Sequence, residues 1–136
     1  MFEILHHTAD IRLRVSALSL DELFRDAMLG MYAVMRGEPA GSPQRVTRTI
    51  AVEESADTTA LLVDFLNEVL QRAHVGSEMF VDARFERLDP ESLTLTAHLT
   101  GIAPASFEED VKAVTYHEAD VRRDESGWTT MLVFDI

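Results

Sequence analysis

The hydrophobic residues of this chain change period repeatedly, and that change restricts the fold more than any other feature. Ile11, Leu13 and Val15 alternate with Arg12, Arg14 and Ser16, the period of two that a half-buried strand requires. Leu20, Leu23, Phe24, Ala27, Met28, Met31 and Met35 then follow helical spacing, opened by Ser19-Leu20-Asp21-Glu22, a capping box in which Ser19 and Glu22 can satisfy each other's free N–H groups. A Met-rich stripe serves either a core or a partner groove, and the core is the expectation here. Residues 36–44 (RGEPAGSPQ) hold two Gly and two Pro and read as a surface loop. Alternation returns over 45–53, and helical spacing returns from about Asp57 to His74, with Asp57 or Thr58 as N-cap and Gly76 as the stop. Further strands are expected at 2–7, 10–16, 79–87, 92–100 and 128–136.

The stretch 107–123 carries mixed signals. Phe107, Val111 and Val114 suit a helix, whereas Val114 to His117 is β-prone. A strand is the preferred reading, and it puts Lys112, Val114 and Tyr116 on one face. The expected result is a single α+β domain over 1–136, two main helices packed on largely antiparallel or mixed β-sheet.

The balance of 24 acidic against 12 basic residues gives a formal charge of −12. Nucleic-acid affinity comes mainly from Lys and Arg neutralising phosphates, so direct RNA binding is disfavoured and docking on a basic protein is favoured. There are no cysteines, which excludes disulfides, Cys-ligated zinc and thiol nucleophiles. Met1-Phe2-Glu3-Ile4 lacks the basic start of a signal peptide, and no apolar run approaches a membrane span. A cytoplasmic protein with no membrane partner is therefore expected.

Four groups of residues could carry chemistry. Lys112 is the only lysine among eleven arginines; a compact ammonium, unlike a guanidinium, can be tuned by burial, and Thr115, Tyr116 and His117 follow it. Composition alone leaves an accidental lysine open, and the absence of GxxxxGK[ST] or GxGxxG removes a P-loop role. The second group is His6-His7-Thr8-Ala9-Asp10, where the histidines would point to opposite strand faces, which disfavours a two-His metal site, and Asp10 could simply cap a turn. The third is the C-terminal Met131 to Ile136, where Asp135 and the terminal carboxylate of Ile136 offer hard oxygens suited to Ca²⁺ or Mg²⁺ if a third carboxylate lies nearby. The fourth, Glu108-Glu109-Asp110, reads as a solvated face, a neutraliser of Lys112 or a contact for a basic partner.

With these segments in place, the sequence resembles the archease family. The resemblance rests on His7-Thr8-Ala9-Asp10-Ile11 followed by the helix ending near Tyr32-Ala33-Val34-Met35, on Leu61-Leu62-Val63-Asp64-Phe65-Leu66-Asn67-Glu68, and on Val111 to His117 with Gly127-Trp128 and Phe134-Asp135-Ile136. It implies an accessory protein rather than an enzyme: an activator of an RtcB-type RNA ligase in tRNA splicing and RNA repair. Such a protein promotes guanylylation and multiple turnover and broadens nucleotide use. The runner-up it implies is a chaperone-like specificity factor for an RNA cytosine methyltransferase; in the main reading RNA is contacted through the partner. By the same resemblance, Asp10, Asp135 and the Ile136 carboxylate match calcium-binding positions, and Lys112 matches a residue needed for activation. A stand-alone metal-dependent enzyme using Lys112 and Asp10 is the competing class.

Overall fold

The computed structural model describes residues 1–6 and 10–136. Its elements, in chain order, are β1 (Phe2–His6), β2 (Asp10–Ala17), α1 (Leu20–Met35), β3 (Gly37–Val52), α2 (Thr58–Gly76), β4 (Met79–Asp89), β5 (Thr94–Phe107), β6 (Ala113–Thr115), β7 (Arg122–Asp124) and β8 (Gly127–Asp135). The strands form two antiparallel sheets. One runs β1-β2-β8-β6, with β7 also on β8, and the other runs β3-β5-β4. Helix α1 packs on β1 and β2 of the first sheet and β4 of the second, while α2 packs on β3 and β5 of the second and β6 of the first. The helices thus form the layer that joins the sheets, which is the α+β architecture expected.

Local chemistry explains the helix limits. Ser19 Oγ accepts from the Glu22 N–H at 3.2 Å, and Asp57 Oδ1 accepts from the Ala60 N–H at 2.7 Å, each satisfying a donor that the first turn leaves unpaired. Met28, Met31 and Met35 are at most 1 % exposed, so the methionine stripe is core and not a groove. Phe24 of α1, Phe65 of α2 and Phe85 of β4 meet with ring centroids 5.5–6.1 Å apart, tying both helices to the second sheet.

Three expectations are corrected. Residues 36–44 are not a free loop: β3 begins at Gly37, pairs residues 37–39 with 105–107, and resumes at Gln44↔Ala103 after an irregularity. The irregularity absorbs Gly41, at φ +57°, and Pro43, and an edge strand tolerates proline because its outward N–H groups have no ladder partner. The α2 stop is displaced by one residue, because Ser77 takes the left-handed conformation. Gly76 is instead a matter of space, since a Cβ there would meet the Glu78 carboxylate at 3.0 Å. Finally, 107–123 is not one strand. It holds only β6 and β7, with a turn between them in which Glu118 has φ +60°.

Gly101 sits where β5 crosses the bulge of β4, and a Cβ there would lie 2.1 Å from the Met79 carbonyl oxygen. At Gly30 the obstacle is the end of the Leu13 side chain at 2.7 Å. Backbone cannot rotate away as a side chain can. Gly101→Ala should therefore destabilise the protein by about 2–3 kcal/mol, near the top of the range for overpacking, and Gly30→Ala by less. Urea midpoints at unchanged slope measure both.

Candidate functional site

The register of β2 and β8 puts Asp10 directly opposite Asp135, and that of β6 and β8 puts Ala113 opposite Asp135 on its other side. Residues opposite each other in an antiparallel pair share a face, with Cβ atoms roughly 4.5–5.5 Å apart. Ile11, Leu13 and Val15 fill the core side of β2, so Asp10 and Asp135 belong to the outer side. The Lys112 N–H donates to the Asp135 carbonyl at 2.7 Å. Three of the residues singled out in the sequence are thereby brought to one end of one sheet, and Ile136, half-buried against the core, follows Asp135 there.

Lys112 itself is exposed, Val114 is 2 % exposed and Tyr116 is 58 % exposed. The expected common face of these three is not formed, because regular strand geometry lasts only from Ala113 to Thr115. Glu108, Glu109 and Asp110 precede Lys112 on the surface, where Glu108 pairs with Arg36 at 3.2 Å and Asp110 lies 3.9 Å from His74. His7, Thr8 and Ala9 fall outside the described residues, and with them the paired-histidine metal reading.

Helix α2 holds the Lys112 segment, a role that the sequence reading missed. Asn67 donates from Nδ2 to the Val114 carbonyl at 2.9 Å and accepts the Val114 N–H on Oδ1 at 3.0 Å. Its amide stands in for a neighbouring strand at the free edge of β6. His74 Nε2 meets the Val111 carbonyl at 2.9 Å, so the backbone is fixed on both sides of Lys112. Further along, Tyr116 donates to Asp64, whose other oxygen accepts from Ser55 at 2.7 Å. The Asp64 bond holds the Tyr116 phenol above its usual pKa, since ionisation would set two negative charges against each other. The Val121 N–H donates to Thr59 at 2.9 Å, and Arg12 of β2 pairs with Glu118. The available signal was Asp64 and Asn67, two of the three polar residues in the largely apolar helical run 61–70.

The donor set suits a hard cation in kind. Asp10 and Asp135 are adjacent carboxylates, and Ca²⁺ or Mg²⁺ takes oxygen ligands. Arg12 Nε lies 3.5 Å from Asp10 Oδ1 and offsets part of the negative charge. Among the described residues no three His, Asp or Glu side chains converge as a metal cage, so two aspartates require the Ile136 carboxylate, water or a partner's oxygen to complete a shell.

Removing the Asn67 amide leaves the Val114 N–H and C=O without partners. Asn67→Ala should cost about 1–3 kcal/mol, the penalty of unpaired buried polar groups, and should speed amide exchange over 111–116 more than in the α1 core. Hydrogen exchange followed by mass spectrometry reads both regions in one sample.

The sequence and the fold both have counterparts among known proteins. The Archease protein family (MTH1598/TM1083) matches residues 2–136. The protein archease of Methanosarcina acetivorans is 33% identical over 143 residues, covering 99% of this chain and 95% of the relative. That of Thermococcus kodakarensis is 33% identical over 142 residues, covering 99% and 98%. The solution structure of Methanobacterium thermoautotrophicum protein 1598 superposes with a TM-score of 0.64 at 26% identity, covering 99% of this chain and 98% of that one. A Thermotoga maritima crystal structure, of an archease described as a possible chaperone, has a TM-score of 0.66 at 24% identity over 97% and 94% of the two chains, and supports the fold alone. Family match, relatives and fold converge over nearly the full length: the chain belongs to the archease family.

Proposed function

We propose that this protein activates an RtcB-type RNA ligase, promoting its guanylylation and multiple turnover in tRNA splicing and RNA repair, and that it has no turnover of its own. The observation that carries the reading is the convergence of Asp10, Asp135 and the Lys112 backbone at one sheet end. Membership of the archease family supports it, as does a charge of −12, which favours docking on the cationic surface of an RNA-binding enzyme.

In this reading the acidic sheet end enters the ligase cleft. Lys112, exposed and held by its backbone on both sides, presents its ammonium to a phosphate or another anionic group of the partner's site. Asp10, Asp135 and the Ile136 carboxylate would hold Ca²⁺ or Mg²⁺, and the ion would supply a fixed positive charge beside Lys112. Asn67 and His74 keep the lysine-bearing backbone in place while the partner docks. RNA is contacted through the partner. A second reading, implied by the family resemblance, is a chaperone-like specificity factor for an RNA methyltransferase. Either role belongs to the cytoplasm, where tRNA is processed.

A ligation time course with limiting ligase tests the first reading. Wild-type protein should restore turnover beyond the first cycle, and Lys112→Ala, Asp10→Ala and Asp135→Ala should each reduce it to the level without activator. Each variant should keep its urea midpoint within about 0.5 kcal/mol, as surface substitutions do. Full activation by Lys112→Ala would remove the role given to that residue, and RNA or nucleotide turnover without any ligase would overturn the accessory reading.

The ion has a separate readout. Added Ca²⁺ should raise the melting temperature through its binding to the folded state, and residues appended after Ile136 should abolish the shift. An unchanged melting temperature in wild-type protein would argue against the site.

A further inference from the structure

The acidic residues are not evenly spread. The two longest stretches without Asp or Glu are 39–52 and 92–107, and these make up most of the paired strands β3 and β5. In a chain of charge −12, the two stretches carry Arg45, Arg48 and His98 and no carboxylate, the one acid of β3 being Glu38 near its start. Strand β3 is also an edge: the sheet runs β3-β5-β4, and among the described residues no strand pairs with the outer side of β3. Residues 44–52 follow an unbroken register with β5. They contain neither Pro nor Gly and are rich in Val, Thr and Ile. Edge strands are ordinarily blunted by proline, bulges or inward charge; here those devices stop at Pro43.

A groove lies beside this edge. Arg48 of β3 donates from Nη1 to the Thr47 carbonyl at 3.1 Å and from Nη2 to Glu78 Oε2 at 2.7 Å. Glu78 in turn lines a cavity of about 280 Å³ with Glu68, Gln71, Arg72, Val75 and Gly76 of α2. An unpaired strand edge thus faces a helix-walled groove across one guanidinium, and Val75 is 81% exposed there. Arg48 answers Glu78, while Arg45 and Arg72 have no ion-pair partner among the described residues. Of these two, Arg72 borders the groove beside Glu68, while Arg45 lies on the opposite, exposed face of β3 with Thr47 and Thr49.

We infer that β3 is a docking edge for an extended, carboxylate-bearing segment of a partner protein, which adds as a fourth strand to β3-β5-β4 and lays alternate side chains into the α2 groove. Main-chain hydrogen bonds to an edge supply affinity in such strand addition, and the pockets for alternate residues supply specificity. The charge pattern selects the occupant. A second copy of this chain would bring its own open segment 44–52, with Arg45 and Arg48 and no acid among those residues to meet them, and like charges placed opposite each other destabilise a strand pair.

Two capped peptides as long as residues 44–52 test this, one alternating Val and Thr with Glu, the other with Lys in place of Glu. Fluorescence anisotropy should show the acidic peptide binding to the intact protein, with affinity falling as salt rises, and the Lys twin weaker by about tenfold or more. Hydrogen exchange should slow at alternate amides within 44–52. Arg45→Glu combined with Arg72→Glu, both at exposed positions, should invert the preference between the peptides. Equal binding of the two peptides, no binding of either, or binding without protection of 44–52 would overturn the inference. So would protection of those amides that rises with protein concentration in the absence of peptide, which would assign the edge to a second copy.

Discussion

The pairing of β2 with β8 is the constraint on which the candidate site depends. On the core side of this pair, Ile11 faces Phe134, Leu13 faces Leu132 and Val15 faces Thr130, all nearly or wholly inaccessible to solvent. A slip of one residue would turn every apolar side chain outward and carry the charged row inward. Burying one Phe or Leu side chain contributes roughly 1.5–3 kcal/mol, so the hydrophobic register is strongly fixed. Asp10 and Asp135 lie at the end of that register. They face each other because the core requires it, and two neighbouring carboxylates are tolerated where water, Arg12 or a cation can offset their repulsion.

Helix α2 completes the arrangement from the other side. Its apolar face (Leu61, Leu62, Phe65, Leu66, Val69, Leu70) is buried in the core. Asp64, Asn67 and His74 reach the segment 111–116. That segment forms only three residues of strand and would leave backbone groups unpaired at its free edge. Side-chain amide and imidazole groups replace the missing neighbour. The outcome is a fixed backbone, anchored by the buried Val111 and Val114, from which the exposed Lys112 side chain extends, a suitable form for a group that acts in a partner's site, because little backbone ordering remains to be done on binding. The β3–β5 ribbon, free of acid over 39–52 and 92–107, is a second surface of different charge composition on the same molecule.

Much of this was legible in the residues. The Met-bearing stripe, both N-caps and the alternating strand at 10–16 have local causes, spacing and capping chemistry, and local causes can be read along a chain. The β3 start was obscured by Pro39, Gly41 and Pro43, which ordinarily mark a loop and here occupy an irregular edge. The role of Asn67 was hidden because its partner, Val114, is 47 residues away, and a polar residue on a helix gives no sign of which backbone it will meet.

The sequence by itself determined the α+β class, the two amphipathic helices, the excess of negative charge and the set of unusual residues, Asp10, Lys112 and Asp135. The first three follow from composition or from a period of two or 3.6 residues, Lys112 stands out by composition, and the grouping with Asp10 and Asp135 is what the family resemblance implies. Only the tertiary structure decided that these three converge, that Lys112 is exposed rather than buried with Val114, and that β3 is left as an open edge beside α2. Adjacency between residues more than a hundred positions apart depends on sheet order and register, and those are settled by the joint burial of side chains from every element at once.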